Sequence, residues 1–331
     1  MDGAAEPRAE RSPEAPVETS VDRLRGRAVW LYHVENRTQN EIAQLLGINR
    51  VAVIRLLADA RRRNEVRVTV SAPLAELAGL ERQVEQCWGI GRVIAAPWTE
   101  PEGVPGGDPL KVVAAAAGAF VASAVQPGMT VGVGWGRTLH ASLPFIEGRT
   151  LEDFRVVSLL GGIAAARRFN PAEFAWAFAE LFQGEGFLIP APAVVDSPDT
   201  KHALLERCGL SAVFEMADRL DMVLVSAGSV ESLTTSYRLG HFTEAERQSL
   251  IEAGAAGDIL YHFVDEEGRL VHPRLDARVI AVDLDRLRRA PQRVLVSGGP
   301  EKVRVLKGAI RALEPTVFVT DEVTARALLA G

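Results

Sequence analysis

Residues 39–58, QNEIAQLLGINRVAVIRLLA, carry the spacing of a helix-turn-helix. Ile42, Ala43 and Leu46 line the inner face of a first helix, and Gly47 admits the left-handed backbone of a tight turn. Ile48 plugs that turn from below, while Val53, Leu56 and Leu57 seat a second helix against the first. Ala43 is small where the two helices must cross most closely. Asn49, Arg50, Val51, Ala52 and Arg55 are left facing solvent on the second helix, able to enter a major groove and meet base edges or phosphates. An ordinary two-helix element is the alternative. The coincidence of small residue, turn glycine and apolar positions favours DNA binding.

The flanks agree. Leu24, Ala28, Leu31 and Tyr32 recur at helical steps and predict a supporting helix from Val21. Thr38, followed three residues later by Glu41, predicts a capping box. The helix-turn-helix domain is assigned to residues 21–70, after a polar, proline-bearing tail over 1–20 expected to be disordered. Its last helix runs through ADARRR and breaks at Asn64, and VRVTV (66–70) alternates as a short strand, a wing or a lead into the next domain. Thr38 and Gln39, at a helix N-terminus, suit a backbone phosphate. Arg61, Arg62 and Arg63 come late for base reading and suit phosphate or solvent.

Charge divides along the chain. The net charge is −6, yet residues 21–70 hold ten arginines against five acidic residues, a local +5. A basic head on an acidic body directs one end to phosphate. Cys87 and Cys208 have no metal or disulfide spacing and read as buried thiols of a reducing cytosol. The N-terminus lacks the apolar core of a signal peptide, and VVAAAAGAFVASAV (112–125) is too short to span a bilayer, so a cytoplasmic protein without a membrane partner is expected.

After a linker and helix over 71–91, the latter at 74–87, residues 92–331 change character. Short apolar runs alternate with amphipathic segments: RVIAAP (92–97), TVGVG (130–134), RVVSLLGG (155–162), FLIPAP (187–192), MVLVSAG (222–228), RVIAVD (278–283), RVLVSGG (293–299) and TVFVTD (316–321). Such runs suit strands covered on both faces. Helices are expected between them, as at 109–125, 170–184, 243–253 and 300–313. The fold class is therefore α/β: an N-terminal helix-turn-helix, winged-helix-like domain followed by a doubly wound, mainly parallel α/β effector-binding domain.

In the body, GVGWGRT (132–138) is the leading ligand loop. Gly134 and Gly136 let backbone amides approach an anion or hydroxyl, and Arg137 and Thr138 open the next helix. A tight strand-to-helix turn without a ligand is the alternative. Trp135 either stacks on a sugar face or packs against a neighbouring subunit. Gly161, Gly162 and Gly228 end other strands and can line the same crevice. The six histidines lack metal-ligand spacing, no catalytic triad order appears, and no cofactor is expected.

The motif, the following VRVTV and this glycine-punctuated body resemble the SorC family of sugar-responsive transcriptional regulators. The likeness runs over about residues 21–330 and rests on WLYHVENRTQNEIAQLLGI with RLL, GVGWGRTL, SLLGGI, FLIPAP, VSAG, GDILYHFVDEEG and VSGGPEKVRVLKGAIRA ending in VTDEVTARALL. It implies an effector domain similar in fold to sugar-phosphate isomerases and glucosamine-phosphate deaminases. It also implies operator DNA bound by dimers or tetramers under control of a sugar, polyol or sugar phosphate. The resemblance further brings Asn170, Asp258 and Lys302 to the effector pocket. Asn170 can equally be a helix cap, and Lys302 a solvated side chain, although it is one of only four lysines in the chain. Two departures stand out: Asn49-Arg50 and Ile54-Arg55 replace the family's Ser-Arg pairs, and Asn64 replaces a glycine. A non-enzymatic regulator of a carbohydrate or polyol operon is the leading reading. A sugar-phosphate isomerase or deaminase is the runner-up, with Asp258, Asp196 and Glu185 as its available carboxylates. A third is a Schiff base at Lys302 or Lys201.

Overall fold

The computed structural model describes residues 20–35, 37–66, 74–98, 108–162, 170–230, 243–271 and 273–330. The chain divides into two compact units, Met1–Val70 and Ser71–Gly331. The tail read over 1–20 and the short strand read over 66–70 fall almost wholly outside the described residues.

The first unit holds α1 (Ser20–His33), α2 (Gln39–Leu46) and α3 (Arg50–Arg62). Each boundary has a local cause. Thr38 and Glu41 form the reciprocal box, with Thr38 N–H donating to Glu41 Oε2 at 2.7 Å and Glu41 N–H to Thr38 Oγ1 at 3.3 Å. Gly47 ends α2 at φ 64, where its N–H reaches the carbonyls of Ala43 and Gln44. Asn64 takes the left-handed conformation, φ 56, just beyond α3. Ala28, Ile42, Val53 and Leu57 are buried together, with Ala43, Leu46, Ile48 and Leu56 packed around them. The guanidinium of Arg25, 4 % exposed, joins Glu65 at 2.6 Å, Asp22 at 2.7 Å and Asp59 at 3.4 Å, tying α1 to the far end of α3.

The second unit is built on seven parallel strands in the order β1-β10-β9-β5-β2-β3-β4. They are β1 (Arg92–Ala96), β2 (Thr130–Val133), β3 (Arg155–Ser158), β4 (Glu185–Phe187), β5 (Met222–Val225), β9 (Gln292–Val296) and β10 (Val317–Asp321). Alternation sends successive side chains to opposite faces, as a pleated strand requires. Met222, Leu224, Val294 and Val296 join one core with helices α5 (Leu110–Ala124) and α7 (Pro171–Leu181). Val223, Val225, Leu295 and Phe318 join the other, with α4 (Leu74–Trp88) and the helices Val303–Leu313 and Glu322–Ala330. The sheet is therefore wound on both sides. Edge strand β1 is covered by α4, whose Glu85 and Glu81 carboxylates each accept at 2.9 Å from the N–H of Val93 and Ala95.

Three expectations need correction, and one element was missed. FLIPAP (187–192) is a strand only at Phe187, because Pro190 and Pro192 bring no N–H to a ladder; what remains is a bridge between Gly162 and Pro192. RVIAVD (278–283) buries residues 279–282 but lies outside the sheet. It braces the loops after β3 and β4 through Gly161 N–H to Ile280 O and Ile280 N–H to Ala193 O, both 2.8 Å. A small antiparallel sheet of β6 (Gly228–Ser229), β7 (Gly257–Ile259) and β8 (His262–Val264) was not expected at all. Cys87 and Cys208 are exposed rather than buried.

Helix α5 crosses the 3-10 turn Leu143–Phe145 so closely that a β-carbon on Gly118 would lie 2.6 Å from Phe145 Cβ and 2.9 Å from Ser142 O. Gly118→Ala gains roughly 0.5–1 kcal/mol of helix preference but incurs an overpacking cost of about 1–3 kcal/mol. The net expectation is a lower urea midpoint for the second unit; an unchanged or higher midpoint would refute the close approach.

Candidate functional site

Two sites follow, one in each unit. In the first, α3 exposes Arg50, Val51, Ile54 and Arg55, while Ala52 is half-buried. Asn49 is the N-cap of α3: its Oδ1 accepts from Ala52 N–H at 2.8 Å, so that oxygen already has a structural duty. Arg50 Nε donates to Gln39 Oε1 at 3.2 Å, linking the first residues of α2 and α3. Tyr32, Arg37, Thr38, Gln39 and Arg50 line a cleft of about 600 Å³. His33, also on its wall, has an unpaired buried Nε2 and a pKa held below the ordinary value, first by burial and then by Arg61. Cations, a capped helix start and an exposed helix face are the equipment of a phosphate- and base-reading surface.

In the second unit, the strand order reverses between neighbours β2 and β5, and ligands of doubly wound sheets bind beyond the carboxyl ends at such a point. The loop after β2 is Gly134-Trp135-Gly136, tied to β5 by Gly134 N–H donating to Leu224 O at 2.8 Å. Gly136 has φ 128, a conformation that side chains rarely adopt, and starts the six-residue helix α6 (Arg137–Ser142). Thr138 is buried and Arg137 is exposed, paired with Asp108 at 2.6 Å. Trp135 is 7 % exposed and meets Tyr261 edge-on, with centroids 5.5 Å apart. Its ring therefore packs within its own chain, an arrangement neither sequence alternative contained.

The loop after β5 leads to β6, where Gly228 pairs with Asp258 of β7. A β-carbon on Gly228 would sit 2.9 Å from Asp258 Oδ1, so glycine is what lets the carboxylate stand there. Asp258 is 6 % exposed, and its other oxygen accepts from Tyr261 N–H at 2.9 Å. Burial pushes its pKa up to about 6, against the pull of that hydrogen bond and of nearby His262. Leu260 and Tyr261, with φ 55 and 67, turn the hairpin without a glycine. Lys302 ends the 3-10 turn after β9. Burial lowers its pKa, with Glu301 opposing and the charge of Arg137 adding to the effect. Lys302 and Arg137 thus sense each other as like charges.

The other candidates are held by partners of their own. Asn170 caps α7 through Ala172 N–H at 3.1 Å, and its Oδ1 lies 3.9 Å from where a Gly162 β-carbon would be. Glu185 opens β4 at the amino end of the strand, 3.6 Å from Arg155. The Asp196 pKa is lowered chiefly by a hydrogen bond from Thr200. His262 and Asp276 form a pair the sequence did not reveal, Nδ1 to Oδ1 at 2.5 Å, while Nε2 faces Val282 O at 3.0 Å. Both ring nitrogens are committed to the protein. The partners lie fourteen residues apart, Asp276 at the end of a four-residue helix, so no spacing signal could have found them. Lys201 is lowered by burial against the charges of Asp276 and Asp283. Among the described residues no group of acidic, histidine or cysteine side chains can hold a metal, and no helix is long and apolar enough to cross a membrane.

A basic helix-turn-helix followed by a doubly wound body with a buried acid beside its strand-order reversal defines the class of ligand-responsive transcriptional regulators. The comparisons agree. Residues 72–330 match the family model Sugar-bind, a sugar-binding domain. The deoxyribonucleoside regulator of Bacillus subtilis is 30 % identical over 305 residues, covering 91 % of this chain and 96 % of that protein. The erythritol catabolism regulatory protein of Brucella abortus is 28 % identical, covering 93 % and 96 %. The full-length crystal structure of the sorbitol operon regulator SorC from Klebsiella pneumoniae superimposes with a TM-score of 0.69 at 25 % identity, over 93 % of this chain and 98 % of that one. The chain belongs to the SorC family of sugar-binding transcriptional regulators.

The raised pKa of Asp258 has a signed consequence. Between pH 4 and pH 6 the folded chain keeps a proton that an unfolded aspartate, with its value of 3.8, has released. Stability from this group is therefore present below about pH 4 and lost as pH rises through 6, by about 3 kcal/mol. Asp258→Asn keeps an acceptor for Tyr261 N–H and removes the titration. Its stability relative to the unaltered protein should rise across that window in urea unfolding; a constant difference from pH 4 to 7 contradicts the shift.

Proposed function

We propose that this regulator grips double-stranded operator DNA through α2 and α3, acting as a dimer or tetramer in the cytoplasm, and that a small sugar, polyol or sugar phosphate in the crevice beside β2 and β5 controls the grip. The genes served are those of a carbohydrate or polyol breakdown operon. The observation that carries the effector half is the buried Asp258 carboxylate set against Gly228 at the strand-order reversal. An ionised carboxylate can accept from two vicinal hydroxyls, and hydrogen bonds to a charged group are the strong ones. Gly134 and Gly136 keep the β2 loop free of side chains beside the same crevice, Gly162 and Asn170 are assigned to its far side, and Lys302 with Arg137 offers positive charge to a phosphate or carbonyl oxygen.

On the DNA side, Arg50 and Arg55 are the fork-shaped readers of guanine O6 and N7. Thr38, Gln39 and the late arginines Arg61–Arg63 hold phosphates. The ligand acts only through its different affinities for the subunit arrangements that bind and release DNA. A coupling of about 1–3 kcal/mol changes occupancy roughly 5–150-fold. No enzymatic step is assigned: His262 has both nitrogens engaged, and Glu185 and Asp196 carry their own partners.

The test is mobility shift of DNA from upstream of the protein's own gene, with a panel of polyols, sugars and sugar phosphates. Arg50→Ala should weaken binding by about 1–3 kcal/mol; undiminished affinity across salt concentrations removes Arg50 from the interface. Lys302→Ala should leave affinity for DNA alone unchanged and raise the dose of effector needed. An identical dose response takes Lys302 out of the crevice, and indifference to every compound in the panel rejects effector control by these classes.

A further inference from the structure

The outward face of α3 is not uniformly basic. Its exposed residues are Arg50, Val51, Ile54, Arg55, Ala58, Arg61 and Arg62, and at helical spacing they occupy an arc of roughly 140°. Arg50 and Arg61 border one side of that arc, and Arg55 and Arg62 border the other. Between them runs an apolar lane of Ile54, Ala58 and Val51. Ile54 is 43 % and Val51 57 % exposed, neither belonging to the small core of the unit. The polar oxygens nearest the start of the helix are taken: Asn49 Oδ1 by the cap and Gln39 Oε1 by Arg50.

Resting on the reading that α3 enters the major groove, we propose that this lane reads thymine: Ile54 and Val51 cover the 5-methyl groups of thymines in the operator half-site. The charge pattern selects the occupant. A lane walled on both sides by arginines suits a groove whose two rims are phosphate and whose floor can be apolar, and the thymine methyl is the one apolar group that B-DNA presents there. Ile54 cannot donate or accept a hydrogen bond, so at its position methyl contact is the only direct readout available. The half-site is thus expected to set thymine between the bases met by Arg50 and Arg55.

The experiment uses the full chain to select duplexes from a random library, then replaces each thymine of the selected site with deoxyuridine. That change removes the methyl and keeps every hydrogen-bonding group. Affinity should fall about fourfold per covered methyl, as burial of one such carbon implies. Ile54→Ala and Val51→Ala, both on the exposed face, should blunt the distinction between the thymine and uracil forms at their own positions. Selective binding indifferent to uracil at every position overturns the proposal while leaving α3 as the DNA-binding helix. Failure of the unaltered protein to select any duplex overturns both. If Ile54→Ala alters subunit association and leaves the uracil penalty intact, the lane is a subunit contact and the proposal falls.

Discussion

In a parallel sheet every carboxyl end lies on one edge, and each connection normally covers the space beside its own strand. Where neighbours β2 and β5 send their chains in opposite directions, that cover is missing. The residues around this gap are shaped by it. Gly134 and Gly136 keep the β2 loop thin, and Trp135 turns inward onto Tyr261. The small sheet β6-β7-β8 then builds a wall from a separate part of the chain. Gly228 has no side chain because Asp258 Oδ1 occupies the space a β-carbon would need. One topological fact thus accounts for three glycines, a buried tryptophan and a buried acid.

The electrostatics of the second unit follow from the same geometry. Asp258 is pushed toward its neutral form by burial, and Lys302 is pushed toward its own by burial and by Arg137. Each group is charged most readily when a complementary group arrives. Hydroxyl donors are the complement of the first, and an anionic oxygen is the complement of the second. The hairpin carrying Asp258 adds rigidity: two consecutive left-handed residues, Leu260 and Tyr261, are held by a hydrogen bond to the acid itself. Positive φ at two bulky residues has an energetic cost and persists only where packing fixes it.

The sequence was legible wherever the cause of structure is local. The turn at Gly47, the box at Thr38 and Glu41, and the left-handed stop at Asn64 each rest on residues within a few positions of one another. Strands β2, β5, β9 and β10 were legible because both-face burial writes continuous β-branched runs. The same rule misread RVIAVD, since an apolar segment buried between two loops has the composition of a strand but makes only isolated bridges, Ala281 to Leu160 and Val279 to Val194. The β7-β8 hairpin was hidden because its turn is Leu260-Tyr261, with none of the glycine or asparagine that usually marks one. At the site, Gly228 and Asp258 were each visible singly. Their opposition across β6 and β7 was not, because a register between residues thirty apart leaves no local trace.

The DNA-binding unit is held from its ends, and this bears on how its specificity can change. Arg25 gathers Asp22, Asp59 and Glu65 at one end of α3, while the Asn49 cap and the Gln39–Arg50 hydrogen bond fix the other. Val53, Leu57 and Ala60 seat the inner face. None of these involves Val51 or Ile54. Substitution on the outer lane therefore changes what the helix meets without changing how the helix stands. That separation is what allows isoleucine to occupy a position where the family's pattern has serine. None of the contacts that seat the helix distinguishes the two side chains at this position.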